Sequence, residues 1–219
     1  MNGSNVSRRG GTGDVPVVNV PNALTVGRLA LVPVFVWLML LDGAPARWWA
    51  LAVFCVAAAT DQLDGHIARS RNLVTDFGRI VDPIADKALT LGAFVMLSVA
   101  HLVPWWFTAL IAARELGITA LRAVLLRRGI VVSANKGGKL KTVTQMLFIV
   151  VMLVPWTAWW AGGAPAVRGG LPEPVFWIAW AIGAVALALT LWSGAVYCVE
   201  GARLWRAAPG AAGREGDCA

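Results

Sequence analysis

Residues 61–87 read DQLDGHIARSRNLVTDFGRIVDPIADK. The stretch holds five Asp and four Arg or Lys, and apolar runs flank it on both sides. The contrast is sharp because the 219-residue chain is 58% hydrophobic and only 14% charged, with 12 Trp and a mean hydropathy of +0.67. A water-soluble domain carries a larger charged fraction. The composition predicts an all-α integral membrane protein. In such a protein, charge inside an apolar segment is costly and marks function.

Outward from this stretch, six segments are long and apolar enough to cross a bilayer: about 23–41, 47–68, 78–101, 104–127, 139–160 and 174–199. Gly- and Pro-rich breaks separate them at LDGAPAR (41–47), Pro104, RRGIVVSANKGG (127–138) and AGGAPAVRGGLPEP (161–174). An even number of spans puts both termini on one side. Of the 19 Lys and Arg, all but Arg47 and Arg168 fall on that side or in the helix ends adjoining it. The positive-inside rule makes that side cytoplasmic. Residues 1–19 are expected to be a cytoplasmic tail, 20–206 the membrane domain and 207–219 a second cytoplasmic tail. Trp48, Trp49, Trp105, Trp106, Trp159 and Trp160 fall near the opposite ends, as an interfacial belt does.

The net charge of +7 suits cytoplasmic loops facing anionic lipid. No interleaving of aromatic and basic residues points to nucleic acid. Arg8-Arg9 lacks the continuous apolar stretch that follows a twin-arginine signal. Cys55, Cys198 and Cys218 form no metal or redox motif, and the first and second of them are expected to pack inertly in apolar runs.

In a helix through the second segment, Asp61, Asp64, Gly65 and Ala68 share one face. In the third, Gly78, Asp82 and Asp86 are spaced four apart and share another. Asp61 lies about 12 Å in from a helix end near Arg69, at 1.5 Å per residue. Four ionised carboxylates at that depth need a cation between them. Arg69, Arg71, Arg79 and Lys87 suit the rim better than the centre. With no His or Cys on these faces, two divalent cations, Mg²⁺ or Mn²⁺, are expected, completed by substrate phosphates. Gly65, Ala68 and Gly78 leave room for a nucleotide, and Arg69 and Thr75 are placed to hold its phosphate and its base or ribose. Asp76 reads as a solvated loop acid. Pro83 either kinks the third helix or marks its first turn.

The pattern D61-xx-DG-xx-AR, then eight residues, then G78-xxx-D82-xxx-D86, resembles the signature of the CDP-alcohol phosphatidyltransferases, with all eight fixed positions present. The resemblance covers about residues 19–160. It implies six transmembrane helices, often a homodimer, and a polar cavity facing the cytoplasm. It also implies that Asp61, Asp64, Asp82 and Asp86 hold two metals and that Asp86 is the general base. Gly65, Ala68, Arg69, Thr75 and Gly78 would face CDP-diacylglycerol, joined by Asn22 and Thr25 of PNALT (21–25). Asn22 could equally cap the first helix.

A second polar cluster follows. ARELGITALR places Arg114, Glu115 and Arg122 in the fourth segment, and GGKLKT places Lys139 and Lys141 at the start of the fifth. A four-residue period through Ile118 puts both arginines on a face. Arg114, Arg122, Lys139 and Lys141 together read as a phosphate site for the acceptor. For Lys141 at a helix end, snorkelling to the interface explains the sequence equally well. The pattern R114-EL…LR followed by GK-x-KT-xx-Q resembles the phosphatidylglycerophosphate-forming branch, whose acceptor is sn-glycerol 3-phosphate. Branches that use inositol phosphate or phosphatidylglycerol stay open. An ion or proton transporter is the alternative of another class. Acids clustered toward one side, beside small residues and Arg, argue against it.

Overall fold

A computed structural model describes residues 20–71, 76–130, 137–156, 166–167 and 171–207, with side chains at 25–60, 85, 87–130, 140–156 and 171–206. Residues 1–19 and 208–219 of the two expected tails, Thr75, and Trp159 and Trp160 lie outside the described residues. Six α-helices account for nearly all the rest: α1 Val20–Leu40, α2 Ala44–Arg71, α3 Asp76–Val99, α4 Trp105–Arg127, α5 Gly137–Leu153 and α6 Glu173–Ala207. They fall on the six apolar segments expected from the sequence. The 161–174 break contains something the sequence did not announce. Ala166–Val167 (β1) pairs antiparallel with Leu171–Pro172 (β2). Two-residue strands are too short to show alternation, so this ladder was illegible.

Local chemistry sets the helix ends. Gly43, at φ +103°, turns the chain between α1 and α2, and its carbonyl accepts the N–H of Arg47. That φ is open to Gly at little cost. At the end of α4, Gly129 takes φ +73°, its N–H donates to Leu126 O, and Ile130 N–H reaches back to Leu125 O. This is a Schellman cap. The end of α3 repeats it with His101 in the Gly position. His101 has φ +58° and donates to Ser98 O, while Leu102 N–H donates to Leu97 O. Pro33 is accommodated inside α1, and Pro83 lies inside α3, beyond its first turn.

α1 packs against both α2 and α3, and α2 and α3 also touch. α6 lies against α4 and α5, and α3 joins the two groups through α4 and α5. The apolar core gathers toward one end. There Phe94, Phe107, Phe148 and Trp180 stack with ring centroids 5.3–6.2 Å apart, and Phe35 meets Phe54 at 5.9 Å. Leu171 of β2 is buried in the same core. Ser98 and Thr108 hydrogen-bond at 2.7 Å between α3 and α4, satisfying two buried hydroxyls. α6 approaches its neighbours along small buried residues: Ala179, Gly183, Ala186, Thr190, Gly194 and Gly201. A Cβ on Gly183 would lie 2.7 Å from the Phe148 ring, so only glycine admits that ring.

The outer surface is apolar. Trp37, Trp49, Trp105, Trp106, Trp177 and Trp192 are each more than half exposed. Cys55 and Cys198 also sit on this exposed surface rather than packing inside, which corrects the sequence expectation. Among the described residues, α6 alone is long and apolar enough to cross a membrane by itself, over Glu173–Arg206. Shorter apolar helical stretches run over 25–40, 44–60, 87–99 and 140–153.

Candidate active site

Glu115 sits near the middle of α4, about 18 Å from its C-terminal end at 1.5 Å per residue. Three cations from three helices converge on it. Lys141 Nζ of α5 lies 2.5 Å from Oε1, Arg114 Nη1 of α4 3.0 Å from Oε1, and Lys87 Nζ of α3 3.4 Å from Oε2. The four side chains are only 10–21% exposed. A carboxylate this enclosed is tolerable only when paired, and here it is paired three times. The reverse also holds: one acid stands against three cations, so among the described residues the cluster keeps an excess of two positive charges.

Arg114 is held from two sides. Nη1 goes to Glu115, and Nη2 donates to Ser193 Oγ of α6 at 2.7 Å. Its Nε is buried and has no hydrogen-bond partner among the described residues. One turn past Lys141 on α5, Gln145 Nε2 donates to Thr190 Oγ1 of α6 at 2.9 Å, and Thr190 Oγ1 donates to Ala186 O.

The residues expected from the sequence distribute as follows. Arg114 and Lys141 meet at Glu115. Arg122 does not join them and is exposed. Eight residues at about 100° each leave an offset of about 80°, so the four-residue period does not hold the two arginines on one face. Lys139 lies in the first turn of α5, with its side chain outside the described set. Lys87, expected at the rim, is instead a central member of the cluster. Asp61, Asp64, Gly65, Ala68 and Arg69 lie on α2, and Gly78, Asp82 and Asp86 on α3. Their side chains are outside the described set. Both segments are continuous helix; on α3 the four-residue step leaves Asp82 and Asp86 about 40° apart, while Gly78 and Asp86, eight residues apart, carry the same offset of about 80° as the two arginines. Asn22 lies in the first turn of α1. Thr25 is buried, and so is Arg28 three residues on, a cation in an apolar helix that the sequence reading left unassigned.

Among the residues with described side chains, no three His, Cys, Asp or Glu are grouped to hold a metal ion. Of the four aspartates expected to hold metal, Asp61 and Asp64 lie on α2 and Asp82 and Asp86 on α3, and these two helices touch. All-carboxylate donors match hard divalent cations.

The profile of the CDP-alcohol phosphatidyltransferases matches residues 18–192. The chain is 44% identical over 146 residues to a probable phosphatidylglycerophosphate synthase of Mycobacterium tuberculosis (strain CDC 1551 / Oshkosh), covering 65% of this chain and 69% of that protein. It is 40% identical over 151 residues to a CDP-diacylglycerol–glycerol-3-phosphate 3-phosphatidyltransferase of Bacillus subtilis (strain 168), covering 62% and 77%. It is 33% identical over 195 residues to a CMP-forming cardiolipin synthase of Streptomyces coelicolor (strain ATCC BAA-471 / A3(2) / M145), covering 87% and 86%. The chain belongs to the CDP-alcohol phosphatidyltransferase family. Membership in a transferase family decides against ion transport.

Proposed function

We propose that the chain transfers the phosphatidyl group of CDP-diacylglycerol to sn-glycerol 3-phosphate, giving phosphatidylglycerophosphate and CMP. The observation that carries the acceptor is the cation excess around Glu115. A phosphomonoester brings about −1.5 to −2 charge at neutral pH. That balances the surplus of Lys87, Arg114 and Lys141. Phosphatidylglycerol is a phosphodiester with a single charge and would leave one cation uncompensated. The cardiolipin synthase among the relatives keeps it as the second reading. Inositol phosphate, also a monoester, is separated by assay rather than by charge.

Asp61, Asp64, Asp82 and Asp86 hold two divalent cations, Mg²⁺ or Mn²⁺, which when bound neutralise the diphosphate and the charge developing on CMP. Asn22, Thr25, Gly65, Ala68, Arg69, Thr75 and Gly78 line the cytidine diphosphate side. Arg114 and Lys141, with Lys87 and the neighbouring Lys139, hold the acceptor phosphate. Asp86 accepts the proton of the acceptor's primary hydroxyl as its oxygen attacks the phosphorus bearing diacylglycerol. CMP leaves with the electron pair of the broken P–O bond. All six helices span the membrane, with both termini and the polar cavity cytoplasmic and with the tails at 1–19 and 207–219. The apolar outer surface and the Lys/Arg bias support this arrangement.

The test is an acceptor series with CDP-diacylglycerol, comparing the parent chain with Arg114→Ala. Truncating one partner of a buried charge pair costs about 2–5 kcal/mol. The KM for glycerol 3-phosphate should rise by about 30-fold or more, with the KM for CDP-diacylglycerol little changed. Cardiolipin made from phosphatidylglycerol as the sole product, or inositol phosphate as the better acceptor, would overturn the assignment.

A further inference from the structure

Between Thr190 and Gly194, α6 touches Arg114 itself and, through Gln145, the turn of α5 that follows Lys141. Thr190 accepts Gln145 Nε2, which fixes α5 one turn beyond Lys141. Ser193 Oγ donates to Thr190 O at 3.1 Å, and this turns an oxygen lone pair toward Arg114 Nη2 at 2.7 Å. Gly194 lies directly under the same side chain. A Cβ there would come within 3.2 Å of both Cγ and Nε of Arg114. The guanidinium stem therefore rests on bare backbone, and its outer nitrogen is gripped by the preceding residue. Ser193 and Gly194 fall just beyond the residues that match the family profile.

We infer that Ser193 and Gly194 are positioning residues that set where the Arg114 guanidinium stands relative to Lys141, making α6 a determinant of acceptor affinity. The inference rests on the proposed reading of Arg114 as a phosphate-holding residue. Arg114 carries five N–H donors in a fixed plane, so its phosphate geometry depends on how that plane is clamped. Glu115 alone cannot clamp it, because a contact at one nitrogen leaves the plane free to pivot. The Ser193 contact at the other nitrogen removes that freedom.

The experiment compares purified full-length parent, Ser193→Ala, Ser193→Thr, Gly194→Ala, Arg114→Ala and the Ser193→Ala/Arg114→Ala double variant in detergent. The KM values for glycerol 3-phosphate and CDP-diacylglycerol are measured separately. Losing one hydrogen bond to a charged group predicts about a tenfold rise in the glycerol 3-phosphate KM for Ser193→Ala. The KM for CDP-diacylglycerol should stay within about twofold of the parent value. Ser193→Thr, which keeps the hydroxyl, should restore the parent KM, and Gly194→Ala should raise it. In the Arg114→Ala background, Ser193→Ala should add nothing. A rise for Arg114→Ala with no rise for Ser193→Ala or Gly194→Ala overturns this inference alone. No rise for Arg114→Ala overturns the functional reading and this inference with it. Equal changes in both KM values, or additive losses in the double variant, mean a merely structural role and also overturn it.

Discussion

Replacing Glu115 by Gln keeps the shape of the side chain and removes its charge. The three ammonium and guanidinium groups at 2.5, 3.0 and 3.4 Å then face one another without an anion. At an effective dielectric of about 20, a pair at about 3 Å interacts by roughly 5 kcal/mol before desolvation is counted. Most of that gross attraction is offset by the cost of taking the ions out of water. Measured losses on removing one partner from a buried pair are about 3–5 kcal/mol. The 12% exposure of Glu115 gives water little opportunity to compensate, so the loss should fall in that range. For a chain of this size, a kcal/mol shifts Tm by roughly 2–4 °C, so Glu115→Gln should lower it by roughly 10 °C. Thermal unfolding in one detergent, followed by helical circular dichroism, reads this directly. The second arm is Glu115→Gln with Lys141→Met, which returns the cluster to its original excess of two positive charges. That pair should recover part of the lost stability, as coupled neighbours do. A Tm for Glu115→Gln within about 2 °C of the parent would refute the reasoning. So would a double variant no more stable than the single one.

Asp61→Asn and Asp82→Asn should each abolish transfer while leaving the Tm close to the parent value, and excess EDTA should abolish it in the parent; full turnover in EDTA would sink the metal assignment. Gly183→Val should cost about 1–3 kcal/mol, because its side chain meets the Phe148 ring, and the penalty should appear in Tm without a change in either KM. His101→Gly should stabilise by about 1 kcal/mol by relieving a left-handed backbone, seen as a Tm rise of a few degrees; no rise would mean that the imidazole makes a compensating contact. A CDP-diacylglycerol chiral at the transferred phosphorus should give product of inverted configuration, since direct attack is a single displacement. Retention would require a covalent intermediate.

The helices were legible because apolar length and turn chemistry are local. Breaks at Gly43, Pro104 and Gly129 were read from the sequence, and the chain turns at each. α6 runs on to Ala207, past the expected limit at 199, because a helix continues into VEGARLWR after its apolar run has ended. The pairing of charges was less legible. Lys87 belongs by sequence to the acidic stretch, yet its partner is Glu115, 28 residues away on another helix. Which face of α3 meets α4 depends on how both pack against the rest of the bundle. Ser193 and Gly194 left almost no trace, since inside an apolar run they read as ordinary small packing residues. Arg114, by contrast, was conspicuous, because an unexplained cation deep in an apolar segment is costly.

On the proposed reading, α3 has a particular task. The acceptor must offer a hydroxyl to the acid-lined side and a phosphate to the cation-lined side, with only a three-carbon skeleton between them. Asp82 and Asp86 belong to one face of α3, and Lys87 is the very next residue. One helical step is a rise of 1.5 Å and a turn of about 100°. Consecutive positions on α3 therefore serve two adjoining walls, one shared with α2 and the other facing Glu115 on α4. α2 contributes acids without a described member of the cation cluster, and α4, α5 and α6 contribute to the cluster without any of the four aspartates. Among the described residues, α3 alone supplies both. A shift of α3 along its axis would move the base and the phosphate-holding lysine together, preserving their spacing while changing both relative to α2 and α4. Buried contacts that fix its height, such as Ser98 to Thr108 at the far end, therefore bear on the reaction although they touch no substrate.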